Sequence, residues 1–222
     1  TGSYGDGTVT QVGAVTWSTE SVCDNSGEIT KVSMGWYSGC WLTNDGEIDC
    51  WGTNRYPEQL SGSTDPADIA QGTIEGHPSG NGYLDVSIEY YHACAVDSSN
   101  CITCWGDYDN NLRSGNSNGA GGSNPHPATC DFEAIAVGLD HNCALRTDGT
   151  VYCWGWDHQQ QVSGTPATTQ FSTISASWDS TCGLRSDNGE IDCWGDDSNL
   201  RDSSQGSPSY ALSDIEVNHK GA

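Results

Sequence analysis

Eleven cysteines hold most of the reactive chemistry in this 222-residue chain, and their spacing is regular. Cys40 and Cys50, Cys94 and Cys104, and Cys143 and Cys153 each stand ten positions apart, while Cys182 and Cys193 stand eleven apart because Asn188 lengthens the turn between them. Each pair brackets two short alternating segments around a turn sequence such as Asn44-Asp45-Gly46, which reads as strand, turn, strand. That geometry puts the paired sulfurs opposite each other, so four cross-strand disulfides are expected. Each would stabilise the fold by about 2 to 3 kcal/mol through loop closure. Cys101-Ile102-Thr103-Cys104 has the spacing of a redox or zinc motif, but Cys104 already belongs with Cys94 and no second Cys-x-x-Cys completes four zinc ligands. The expected partner of Cys101 is Cys130, which leaves Cys23 over; Cys23 with Cys130 is the alternative.

Other residue sets offer less. Gly115-Asn116-Ser117-Asn118-Gly119 matches a nucleophile-elbow pattern but lacks the strand before it and helix after it that the motif needs. Asp107, Asp109 and Asn110, and Asp196, Asp197 and Asn199, could ligate calcium through oxygen, yet neither set fits a twelve-residue loop with a closing Glu, and polar turns explain both. No cofactor is expected beyond that calcium option. The six histidines show no metal-ligand spacing; His92, His141 and His219 are read as one repeat position with a structural role. Trp36, Tyr37, Tyr90, Tyr91 and Trp178 precede the first cysteine of their repeats, beside Asp140 and Asp179. They form the candidate binding set, suited to stacking on a sugar, to a protein contact, or to local packing. No catalytic constellation emerges, so the chain is not read as an enzyme.

The elements that must position these residues follow from the repeat. Residues 34–52, 88–106, 137–155 and 175–195 share one pattern that closes on Cys-Trp-Gly, and an upstream strand precedes each, over 28–33, 84–88, 132–137 and 171–176. Long loops are expected over 53–83 and 107–131. A unit of three or four strands cannot bury both faces alone, so copies must stack, and radial stacking gives a β-propeller. The recurring Trp is then core filler in the blades.

Thirty acidic residues against seven basic ones leave a formal charge of -23. Such a field opposes nucleic acid, whose binding depends on Lys and Arg. It fits solubility, high salt or a calcium-rich setting equally. No apolar run approaches the ~20 residues of a membrane span. Dense, regularly spaced cysteine points to an oxidising compartment, and the start at Thr1 reads either as the mature form of an exported protein or as a chain cut to match that form.

Val137-Gly138, His141, Cys143-Ala144-Leu145, Asp148-Gly149-Thr150-Val151 and Trp154-Gly155 resemble the repeat of the regulator of chromosome condensation family, as do Trp51-Gly52-Thr53-Asn54 and Gln59-Leu60. The resemblance covers about residues 28 to 200 and implies a β-propeller. Ser38 and Ser180 depart from its histidine, and the repeats are too few for seven blades. The ends supply two half-repeats: residues 215–222 read as a first half and residues 5–13, with Asp6-Gly7-Thr8-Val9, as a second. Together they make a fifth blade in a single domain of 1–222, closed within one chain or shared between two. The expectation is therefore an extracellular, non-catalytic interaction or scaffold module that binds protein or itself, with a self-assembling filament or surface-layer subunit and a carbohydrate-binding propeller as alternatives.

Overall fold

The computed structural model describes residues 27–35, 38–52, 77–89, 92–106 and 126–196, together with Ile215 and Val217. Within them the chain is all-β, with twelve strands in four three-stranded antiparallel sheets. Blade 1 is β1 (Ile29–Met34), β2 (Ser38–Thr43) and β3 (Ile48–Gly52); blade 2 is β4 (Tyr83–Glu89), β5 (His92–Asp97) and β6 (Ile102–Gly106). Blade 3 is β7 (Phe132–Val137), β8 (His141–Arg146) and β9 (Val151–Gly155); blade 4 is β10 (Phe171–Ser177), β11 (Ser180–Arg185) and β12 (Ile191–Gly195). Tyr83, assigned above to a loop, already belongs to β4, where it pairs with Asp97. Each first strand lies against the first strand of the next blade, β1 on β4, β4 on β7 and β7 on β10.

The turn between the second and third strands explains the Asp-Gly pair. In blade 3 the Gly149 amide donates to the Arg146 carbonyl and the Arg146 amide to Thr150. That closes a three-residue loop in which only the last residue needs a left-handed backbone. Gly149 takes it at φ 84°, and Asn100 takes it at φ 63° in blade 2, Asn being among the few side chains that tolerate it. Asn188 adds a residue in blade 4, where the Arg185 amide donates to Glu190.

The glycine of each Cys-Trp-Gly has its own cause. Gly155 sits at φ 108°, and a Cβ there would stand 2.7 Å from the Asp140 carbonyl oxygen; at Gly195 the same atom would meet the Asp179 carbonyl at 2.0 Å. Any side chain would meet both a disfavoured backbone and a clash.

The core lies between blades. Cys40, Leu42, Ile48 and Cys50 on the rear of blade 1 pack on Val86, Ile88 and Trp105 on the front of blade 2. Cys94, Val96 and Ile102 meet Phe132, Ile135, Val137 and Trp154, and Cys143, Leu145 and Cys153 meet Phe171, Ile174 and Trp194. Four disulfides join directly opposed residues, Cys40–Cys50, Cys94–Cys104, Cys143–Cys153 and Cys182–Cys193, with Cα atoms 4.0 to 4.1 Å apart. Those of blades 1 to 3 therefore lie in the apolar interior between blades as well as closing their own hairpins. A fifth, Cys101–Cys130, joins the turn of blade 2 to the segment that enters blade 3. Cys23 lies outside the described residues. Trp105, Trp154 and Trp194 fill the cores as anticipated, whereas Trp51 is 39% exposed.

Candidate interaction face

Buried polar groups tie each blade to the next at fixed register positions. The Ile88 amide donates to Ser33 Oγ, the Val137 amide to Ser87 Oγ and the Val217 amide to Ser175 Oγ, each at 3.0 Å. Blade 3 has Ala136 at that position and lacks the bond. At the turn end, the amides of Tyr83, Phe132 and Phe171 donate to the carbonyls of Gly46, Asn100 and Gly149 in the preceding blade. Asp85, buried at the bulge of β4, holds three elements: its carboxylate accepts the Val86 amide at 2.9 Å, accepts the Ile135 amide of blade 3 at 2.8 Å, and pairs with Lys31 of blade 1.

His92 and His141 are consumed in the same way. His92 Nε2 lies 2.8 Å from Asn142 Oδ1 in blade 3, and His141 Nε2 lies 2.7 Å from Thr181 Oγ1 in blade 4; all four residues are buried. The histidine occurs where the next blade offers an acceptor. Ser38 takes its place in blade 1, and blade 2 has Ala93 at the register position of Asn142 and Thr181. Burial, reinforced by the nearby His92, drives His141 down to about 3 against the pull of the Trp178 carbonyl and Asp157, so it is a neutral structural imidazole. Val217 stands where Ile88 and Val137 stand; His219 lies outside the described residues.

What these bonds leave for a partner is the loop end of blades 3 and 4. Asp140 and Asp179 occupy equivalent positions, each just before its second strand, and their carbonyls accept the amides of Trp156 and Asp196. Burial and the proximity of Asp179 raise the Asp140 carboxyl above its ordinary value, with His158 opposing. Asp179 is raised by burial and by Asp196, while His158 and the Gln161 side-chain amide oppose. Buried Gln161 orients this face: its Nε2 donates to Asp179 Oδ1 at 2.9 Å and its Oε1 accepts the Gln159 amide. Trp156 meets His158 edge to face, with ring centroids 5.5 Å apart. Carboxylates that lose water and repel each other gain by receiving a cation.

Of the aromatic binding set, only Trp178 is described. It is half-buried at φ 49°, and its carbonyl accepts the Leu139 amide of blade 3, so its backbone also joins blades. Trp36, Tyr37, Tyr90 and Tyr91 lie outside the described residues, as do residues 115–119, Asp107, Asp109, Asn110, Asp197 and Asn199. Among the described residues no three or more His, Cys, Asp or Glu side chains are grouped to hold a metal ion. No helix among them is long and apolar enough to cross a membrane. Sequence reasoning missed Ser33, Ser87, Ser175, Asp85, Asn142, Thr181 and Gln161. Only the serines left a signal, by recurring one residue before the strand position of Ile88.

Stacked three-stranded antiparallel blades, joined first strand to first strand around interlocking apolar faces, define a protein of the β-propeller class. The sequence profile of the Regulator of chromosome condensation (RCC1) repeat matches residues 29–56, 132–161 and 171–200, so these three segments are similar to RCC1 repeats. No curated protein sequence matches it. Among solved structures it is similar to the ectodomain of the receptor kinase ACR4 from Arabidopsis thaliana, at 25% identity and TM-score 0.55 over 75% of this chain and 55% of that one. It is also similar to the ectodomain of the receptor kinase CR4 from Physcomitrella patens (20% identity, TM-score 0.54, 75% and 41% covered). A third likeness is to Prp20p from Saccharomyces cerevisiae, a structure described with that protein's binding to Gsp1p and histones (17%, 0.55, 75% and 43%). The chain thus spans about half the length of these structures or less.

Proposed function

We propose that this chain, as one domain over residues 1–222, is a non-catalytic extracellular interaction scaffold whose loop face between blades 3 and 4 receives basic segments of partner proteins. One observation carries the reading. The buried histidines are spent on holding blades together, while Asp140 and Asp179 are held close on a face that also bears Trp156 and Trp178. A cationic side chain placed there relieves the repulsion and offers its stem or plane to an indole. The disulfides between stacked blades support an oxidising compartment, and the likeness to a receptor ectodomain agrees with it.

The test uses an Arg- and Lys-rich peptide and calorimetry at physiological salt. Asp140→Asn with Asp179→Asn should weaken binding about tenfold, a loss of about 1.4 kcal/mol. Asp187→Asn with Glu190→Gln removes the same charge from an exposed turn and should change it little. Equal losses in the two variants would mean that the general acidity, not this face, attracts the peptide.

A further inference from the structure

The five disulfides of the described residues differ in what an external thiol can do to them. Exchange needs one sulfur open to attack and a partner sulfur that can leave as a solvated thiolate, because burial in apolar surroundings raises a thiol's pKa and makes it a poor leaving group. Cys40–Cys50 and Cys143–Cys153 fail the first condition, since all four residues are buried. Cys94–Cys104 and Cys182–Cys193 fail the second. Cys104 is half-buried and Cys193 exposed, but their partners Cys94 and Cys182 would have to carry the departing charge while buried. Cys101–Cys130 meets both conditions: Cys130 is exposed, and Cys101 is half-buried just ahead of β6.

The same bond pins a strap. Residues 126–130 lead into blade 3 without belonging to a strand. The disulfide fixes one end of the strap at Cys130, and at the other the His126 ring meets the buried Trp154 indole edge to face, with centroids 5.5 Å apart. Beyond the strap the chain is held independently. The Phe132 amide donates to the Asn100 carbonyl at 3.1 Å, Asn100 Nδ2 donates to the Phe132 carbonyl at 2.6 Å, and the Thr147 amide donates to the Asp131 carbonyl at 2.9 Å. Opening the disulfide therefore loosens the strap, leaves blades 2 and 3 joined, and keeps Cys101 near enough to Cys130 for the bond to form again.

We propose that Cys101–Cys130 is a thiol-exchange site, at which a small thiol opens the folded chain and frees residues 126–130 from Trp154. The attacking thiolate bonds to Cys130 Sγ; the bond between the two Sγ atoms breaks, and its electron pair leaves on Cys101, which takes a proton from water. A second small thiol displaces Cys130 from the mixed disulfide in the same way. Two electrons thus pass to the protein, and two small thiols become one disulfide. The site is separate from the loop face that receives basic segments, and either can fail alone.

Differential alkylation tests this. Thiols free at the outset are blocked with iodoacetamide and the excess is removed; mercaptoethanol is then added to the folded chain, and the thiols it frees are trapped over time with N-ethylmaleimide and mapped by mass spectrometry. Cys101 and Cys130 should open about tenfold or more faster than the eight hairpin cysteines. Near-ultraviolet circular dichroism should hold while they do, with hydrogen exchange quickened in residues 126–130 and still slow in 132–137. Cys101→Ser with Cys130→Ser should exchange quickly in 126–130 from the start and respond no further to thiol. Should that variant misfold, the wild type alkylated at Cys101 and Cys130 takes its place. Hairpin cysteines that open as fast, opening that comes only with loss of the circular dichroism signal, or slow exchange in 126–130 with the bond open would each overturn the proposal.

Discussion

Glu89 ends β4, pairs with His92 in the strand register and is only 8% exposed. Burial raises its carboxyl from 4.5 to about 7. The sign of its effect on stability follows. Between pH 4.5 and about 7 the folded chain holds a proton that the unfolded chain has released, so stability falls as pH rises through this window and stays lower above it. At about 1.4 kcal/mol per pH unit the ceiling is about 3 kcal/mol, and water that still reaches the carboxyl reduces this to about 2 kcal/mol. His141 works in the opposite direction. It is held at about 3 in the folded state against 6.5 unfolded, so stability rises with pH between these values and is level above. Glu89→Gln removes the first slope and keeps the second. Urea unfolding with disulfides intact should show the variant more stable than the wild type by about 2 kcal/mol near pH 8, and nearly equal to it near pH 4. Asp140 and Asp179 titrate in both proteins and cancel in the comparison. A variant no more stable near pH 8, or one offset by the same amount at every pH, would refute the reasoning.

The inter-blade histidine bond predicts that Thr181→Val costs about 1 to 3 kcal/mol in denaturant unfolding, because the buried His141 ring keeps its place without that partner; a change below about 0.5 kcal/mol would mean that this bond adds nothing to the packing and backbone bonds that already join blades 3 and 4. Peptide mapping without reduction should recover Cys40–Cys50, Cys94–Cys104, Cys101–Cys130, Cys143–Cys153 and Cys182–Cys193 from native material. Free thiols at these positions would remove the oxidising compartment from the proposed function.

Much of this fold was legible because the repeat states its local geometry several times. Cysteines ten or eleven apart around Asp-Gly or its substitute fix a hairpin by themselves, since the turn chemistry and the two-residue alternation of a strand act over a few neighbouring residues. The upstream strands, the disulfide pairs and the burial of three of the four Cys-Trp-Gly tryptophans are all local or repeat-level consequences. The acidic balance was equally plain from residue types alone.

The serine, histidine and Asp85 side-chain contacts across blades were not legible, because they join residues 40 to 55 positions apart and depend on how one sheet seats against the next. Nothing in the sequence near His141 names Thr181, nor does the stretch around Asp85 name Ile135. The need for glycine at positions 155 and 195 comes from the approach of the Asp140 and Asp179 carbonyls, which the sequence does not name. Trp51 is the clearest case. Its Cys-Trp-Gly is identical to the one that contains Trp154, yet one ring is 39% exposed and the other fully buried. The sequence alone determined what each blade is; only the tertiary structure decided which blade faces are covered among the described residues, because burial belongs to the pair of surfaces and not to the residue.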